Sequence, residues 1–245
     1  MARALVPLKD LVQAKSRLAG LLRPSERRAL AQAMVEDVLT VLTDHPRISA
    51  VTLVSEDPAA ELLASRYGIC CWPESGLGCR GLNAVLTRAS ARLMADRNEA
   101  LVVLHADLPL LASTEISAVL DRQSELGGLV VGCDRNGGGT NLLAFDGPGM
   151  PVFCFGKDSC RRHVMTARAA GMRTAVLRLP GVALDVDCPG DLAELLAVAE
   201  HPPAGGSVAA HTLALLQDIA LEGRIKLAIA SLRPAAAGTT RECAG

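Results

Sequence analysis

The chain has few aromatic residues: three Phe, one Trp and one Tyr among 245 residues. Any core must therefore be aliphatic, and a hydrophobic content of 50% supplies enough Leu, Val and Ala to build one of useful size. Net charge is also nearly absent, at −1, which gives no reason to expect a nucleic-acid partner. No run is long and apolar enough to span a bilayer. Met1 to Leu8 is too short, and too soon followed by charge, for a secretory signal. Eight cysteines are present, but no CxxC pair, so zinc-site and redox-motif spacings are missing. Free thiols in a reducing cytoplasm are expected. Cys70, Cys71 and Cys133 fall in apolar, strand-like runs where a thiol serves as a small hydrophobe, whereas Cys160 and Cys188 adjoin suspected sites. There is no GxxxxGK[ST], which excludes a P-loop, and no GxGxxG after the first apolar run, which argues against a dinucleotide dehydrogenase.

What is present is an alternation of short apolar runs and amphipathic stretches. Strands are expected at Ala2 to Pro7, Ala50 to Val54, Ile69 to Trp72, Ala100 to Leu104, Leu129 to Cys133, Thr140 to Phe145 and Thr174 to Leu179. Helices are expected at Pro24 to Thr43, where Leu30, Met34, Val38, Val41 and Leu42 keep helical spacing, and at Pro58 to Tyr67, with Gly68 at its C-terminal end. Further helices are expected over Leu82 to Ala95, from a Ser113 or Thr114 cap to Leu126, and over Ser159 to Ala170 and Pro189 to Glu200. Leu8 to Leu22 reads as a basic loop, and Arg23, Arg27 and Arg28 as a solvated helix face. The pattern predicts a three-layer α/β/α sandwich with a mixed, mostly parallel, Rossmann-like sheet. The return through Asn136-Gly137-Gly138-Gly139 supplies at least one antiparallel member. Residues 1–200 are expected to form the catalytic domain and 201–206 a linker. Residues 207–232 are expected to form a further helical segment packing on the domain or on another subunit, as in a homodimer, and 233–245 a disordered tail.

Two acidic marks lie far apart in the sequence. Asp107, in His105-Ala106-Asp107-Leu108-Pro109, ends the fourth strand, and Asp185-Val186-Asp187 follows the seventh. An open α/β sheet places ligands at the C-terminal ends of its parallel strands. Three carboxylates meeting there require a cation, and the hard, oxygen-seeking ion that suits phosphates is Mg2+. Lys9, Lys15 and Arg17, with the Ser16 hydroxyl, follow strand one, where a nucleoside triphosphate would lie. The glycines of Asp134-Arg135-Asn136-Gly137-Gly138-Gly139-Thr140-Asn141 offer N–H groups to an anion, or else make a plain hairpin. Ser159 opens a helix whose N-terminus favours an anion, or simply caps it. Asp191 reads as a first-turn charge. The chain is therefore expected to be a metal-assisted enzyme acting on phosphates.

In combination these segments resemble the phospholactate/phosphoenolpyruvate guanylyltransferases of coenzyme F-420 biosynthesis. The likeness rests on Pro7-Leu8-Lys9, Ala14-Lys15-Ser16-Arg17-Leu18, Asp107-Leu108-Pro109 and Asp134 to Asn141. Gly156, Ser159 with His163, and Asp185-Val186-Asp187 with Pro189 and Asp191-Leu192 complete it, over about residues 1–195. The resemblance implies a GT-A-like nucleotidyltransferase fold. It implies transfer of GMP from GTP to a three-carbon phospho-acid (phosphoenolpyruvate, 2-phospholactate or 3-phosphoglycerate), with release of pyrophosphate. Asp107, Asp185 and Asp187 would bind Mg2+. The Lys15-Ser16-Arg17 loop, Lys9 and the Gly76 to Asn83 region would hold GTP, and Thr140, Gly156 and Ser159 the acceptor. The chain departs from the family pattern at Cys133, Lys157-Asp158 and Cys160, all on the acceptor side. A nucleotidyltransferase for molybdopterin or sugar phosphate would carry a GGxSxRMG-like loop after strand one, which is missing here. A non-catalytic nucleotide-binding module would have no use for the three aspartates.

Overall fold

The computed structural model describes residues 1–11, 14–95, 99–146, 151–200, 209–217 and 223–225. Seven strands, β1 (Ala2–Pro7), β2 (Ile48–Val54), β3 (Cys70–Trp72), β4 (Ala100–Leu104), β5 (Leu129–Cys133), β6 (Thr140–Phe145) and β7 (Thr174–Leu177), form one sheet in the order β3-β2-β1-β4-β6-β5-β7. β6 runs antiparallel to both of its neighbours; the other pairings are parallel. This is the mixed, mostly parallel sheet that the alternation and the glycine-loop return predict.

The eight helices among the described residues are α1 (Pro24–Asp44), α2 (Pro58–Tyr67), α3 (Leu82–Met94), α4 (Ser113–Leu126), α5 (Ser159–Ala169), α6 (Pro180–Ala183), α7 (Pro189–Glu200) and α8 (Ala210–Leu216). α1, α2 and α4 bury one face of the sheet, and α3 and α5 the other. β1 shows why its sequence is apolar throughout: Ala4 and Val6 enter one layer and Leu5 the opposite one, so both faces must be hydrophobic. α2 is bounded as expected, with Asp57 accepting the Ala59 N–H at 2.8 Å and Gly68 at φ 64°, the left-handed value that glycine adopts without steric cost.

Three local expectations are corrected. α4 is not capped by Ser113 or Thr114; its N-cap is Ala112, whose N–H is taken by the Glu115 carboxylate at 3.1 Å. β7 ends at Leu177, and a short helix absent from the sequence reading, α6, turns the chain back toward the sheet. Cys70 is exposed rather than a core hydrophobe, because β3 is an edge strand.

A third apolar cluster lies outside the two sheet layers. It joins Leu18 and Leu22 of the first loop and Leu30 and Met34 of α1 to Val186, Leu192 and Leu195. Leu216 of α8 completes it. α8 packs on α1 of its own chain: the Asp37 carboxylate accepts the His211 and Thr212 N–H groups at 2.8 and 3.0 Å, and His211 lies 3.2 Å from Glu36. The expected linker at 201–206, much of 207–232 and the tail at 233–245 lie outside the described residues.

Candidate active site

A cleft of about 360 Å³ opens beyond the C-terminal ends of β1 and β4, and its walls include Lys9, Lys15, His105, Asp107, Asp185 and Asp187. The sequence-distant carboxylates do meet. Lys15 Nζ lies 2.6 Å from Asp107 Oδ2 and 2.8 Å from Asp187 Oδ1. Lys15 itself has a left-handed backbone, φ 56°, at the start of a 3-10 turn over Ser16–Leu18. That conformation costs a non-glycine residue roughly 1 kcal/mol. Fully buried Leu18 anchors the turn in the third cluster.

The Asp185–Asp187 segment is fixed from several sides. Gly181 donates its N–H to Glu115 Oε1 at 2.7 Å, and any Cβ there would collide with the Leu110 carbonyl oxygen. Val186 is fully buried in the third cluster, and its N–H donates to the Asp107 carbonyl at 3.2 Å. This bond sets the two acidic segments side by side. Asn141 Nδ2 donates to Asp185 Oδ1 at 3.2 Å and to the Val182 carbonyl at 3.0 Å. Asp191, read from sequence as a first-turn charge, has a larger part: its Oδ2 accepts the Asp187 and Cys188 N–H groups at 2.8 and 2.7 Å, while Oδ1 pairs with Arg135.

The electrostatics are those of a site with too little positive charge. Burial alone would depress the Lys15 amine, yet the charges of Asp107 and Asp187 outweigh it and raise the pKa above the usual lysine value. Burial opposes ionisation of Asp107, but Lys15, with His105 beside it, holds that carboxyl below the usual range. Asp185 is pushed up, first by burial and then by the negative charge of Asp107. Asp107 Oδ1 is buried without a hydrogen-bond partner. Among the described residues no three His, Cys, Asp or Glu side chains form a metal cage; the Lys15 ammonium lies between Asp107 and Asp187.

The remaining residues singled out from sequence are placed differently. Ser16 and Arg17 are exposed and do not line this cleft. Asn83 spends its amide on the backbone, accepting the Phe155 N–H at 2.8 Å and donating to the Phe155 carbonyl at 3.2 Å. Thr140 and Ser159 are buried, and Gly156 is exposed at φ 124°. The glycine loop folds on its own carboxylate: Asp134 Oδ1 accepts the Gly138 N–H at 2.9 Å, and a Cβ on Gly139 would lie 2.8 Å from Asp134 Oδ2. The Gly138 carbonyl in turn accepts the Cys160 N–H of α5 at 3.1 Å. Ser159 is the first helical residue rather than the cap, which is Asp158 at φ 53°.

His163 organises this side. Its Nε2 accepts the Cys154 N–H at 2.8 Å and its Nδ1 faces Thr140 Oγ1 at 3.0 Å, so the neutral ring carries its proton on Nδ1. Burial lowers its pKa to about 4. All three phenylalanines join it in a column of rings. Phe145 meets Phe153 at 6.1 Å, Phe153 stacks on Phe155 at 6.2 Å, and Phe155 contacts both His163 at 4.9 Å and His105 at 5.2 Å. A second cleft of about 650 Å³, lined by Glu56, Glu74, Ser75, Gly78, Cys79 and Arg80, lies at the loop before α3, in part of the region expected to hold the nucleotide.

A protein from Sphaerobacter thermophilus named phosphoenolpyruvate guanylyltransferase is 37% identical over 204 residues, covering 83% of this chain and 95% of that protein. One of the same name from Nocardia farcinica is 38% identical over 224 residues, covering 91% and 93%. The fold is similar to that of a protein of the nucleotide-diphospho-sugar transferase type from Desulfovibrio desulfuricans G20, with a TM-score of 0.72 at 16% identity, covering 92% of this chain and 97% of that one. The family described as "Guanylyl transferase CofC like" matches residues 2–204. The chain belongs to that family, and it is a nucleotidyltransferase.

Proposed function

We propose that the chain transfers GMP from GTP to the phosphate of a three-carbon phospho-acid, phosphoenolpyruvate first among them, and releases pyrophosphate in coenzyme F-420 biosynthesis in the cytoplasm. The observation that carries this is the meeting of Asp107, Asp185 and Asp187 with Lys15 in one cleft. The names of the relatives support phosphoenolpyruvate as acceptor. The seven described cysteines are free thiols, in keeping with a reducing compartment.

The chemistry of the donors suits Mg2+: Asp107, Asp185 and Asp187 bring hard carboxylate oxygens to one cleft without being drawn into a cage, one oxygen of Asp107 lacks a hydrogen-bond partner, and Asp185 is pushed up by burial and by the negative charge of Asp107. Asp107, Asp185 and Asp187 would hold the ion, which when bound neutralises phosphate charge. The attacking oxygen belongs to a phosphate that is already ionised, so no protein base is required. Catalysis by the chain is positioning and charge complementarity. Lys15 and Lys9 offset charge gathering on the departing pyrophosphate, while Ser16 and Arg17, exposed on the adjoining turn, would meet the nucleotide from outside the cleft. The second cleft suits the base, since Glu56 and Glu74 offer the acceptors that the N–H donors of a guanine edge need. Thr140, Gly156 and Ser159, braced by His163, shape the acceptor side, where Lys157 adds a cation.

Incubating the purified chain with Mg2+, each nucleoside triphosphate and each three-carbon phosphate tests this. GTP with phosphoenolpyruvate should release pyrophosphate and yield a product heavier than the acceptor by one guanylyl group. Pyrophosphate release with another base, or only with a sugar phosphate or molybdopterin, would refute the assignment.

A further inference from the structure

We propose that α8 is a positioning element for the cleft: docked on α1 by Asp37, it closes the third apolar cluster and so holds the Lys15 turn and the segment bearing Asp185 and Asp187 in place. The inference rests on the reading of that cleft as the site of guanylyl transfer.

The two segments that bring charge to the cleft are not anchored in the sheet layers. Leu18 and Leu22 follow Lys15, and Leu184, Val186 and Leu192 lie next to or between the aspartates; all five are buried in the third cluster. Charged side chains on short loops keep a fixed geometry only where neighbouring residues are locked by packing.

The rest of that packing comes largely from α1 and from the C-terminal part of the described chain. Leu30 and Met34 lie on one stripe of α1, and Met34 also borders the cleft. Asp37 continues the stripe about one turn on. Its carboxylate accepts the His211 and Thr212 N–H groups at 2.8 and 3.0 Å. Burial works against the charge of this carboxylate, and the two bonds offset that cost. The contact seats Ala209 and Leu216, both buried, in the third cluster. α8 lies beyond residues 2–204, the span that matches the family. Among the described residues none from α8 lines the cleft, so its effect on turnover passes through the cluster, where close packing transmits a change on one side to the others.

The test uses the full chain and two variants, Leu216→Ala and Asp37→Asn. The first opens space in the cluster. The second removes no apolar contact and leaves one α8 N–H without an acceptor. Amide hydrogen exchange, read by peptide mass without substrates, should speed up several-fold over residues 15–22 and 182–192 in both variants, with β1, β4 and β6 unchanged. With GTP, Mg2+ and phosphoenolpyruvate, kcat should fall about tenfold, equivalent to about 1.4 kcal/mol, while KM for GTP changes by less than about twofold. Leu216→Met, which nearly conserves volume, should restore both readings. Unchanged exchange over residues 15–22 and 182–192 overturns the proposal, as does exchange that rises uniformly across the sheet. Wild-type kcat in a variant whose loop peptides exchange faster also overturns it. If Leu216→Ala does not fold, Asp37→Asn decides by the same readings. If the wild type itself transfers no guanylyl group, the reading of the cleft has failed, while the exchange pattern still decides whether α8 holds the loops.

Discussion

The Val186 N–H donates to the backbone carbonyl of Asp107 at 3.2 Å, which joins the end of β4 to the segment after α6. The acidic cluster is therefore set by main chain, and side-chain substitutions within it should alter chemistry more than folding. Asp107→Asn keeps the shape and loses the charge. Turnover should fall about 10³-fold, or about 4 kcal/mol in the barrier, while far-UV circular dichroism is unchanged. A variant retaining near-normal pyrophosphate release would remove Asp107 from the site.

Gly181 makes the approach of α6 to the Leu110 carbonyl possible. Gly181→Val should push the Asp185–Asp187 segment away from Asp107 and strain the bond to Glu115. A stability loss of about 1–3 kcal/mol is expected by urea titration, with a fall in kcat that exceeds any change in KM for GTP. Wild-type kcat in this variant would show that the segment is positioned by something else.

His163 gives the fold a pH dependence with a definite sign. Its folded pKa, about 4, lies below the ordinary histidine value of 6.5, so only the unfolded chain takes up a proton between those values. Its contribution is fully present above pH 6.5 and is lost as pH falls to about 4, by roughly 3 kcal/mol in all. The raised carboxyls of Asp37 and Glu115 act in the opposite sense on acidification, so the histidine component is best read by difference. His163→Gln can still accept from Cys154 and reach Thr140. Its stability, measured from pH 7.5 to 4, should decline less than that of the wild type, and parallel curves would contradict the assignment.

Much of this was legible in the sequence because it is periodic or punctuated. Leu30, Met34 and Val38 mark α1, Gly68 ends α2, and apolar runs buried on both faces mark the central strands. The meeting of Asp107 with Asp185 and Asp187 was legible because strand ends carry the chemistry of such sheets. What escaped notice depends on tertiary contact. Nothing local tells that Glu115, while closing its own helix end, also holds Gly181, or that Asp191 steadies Asp187. Nor does a basic loop announce that one of its lysines lies buried between two aspartates. The glycine loop takes the plainer of its two sequence readings: Gly138 donates its N–H to the chain's own Asp134 carboxylate and Gly137 to the Asp134 carbonyl, as in a closed turn.

The most direct measurement is a crystal structure of the chain with Mg2+ and a non-hydrolysable GTP analogue. The account predicts Mg2+ within about 2.1 Å of oxygens from the Asp107, Asp185 and Asp187 cluster, with the α-phosphate of the nucleotide beside it. A nucleotide bound with its α-phosphate remote from these aspartates would contradict it.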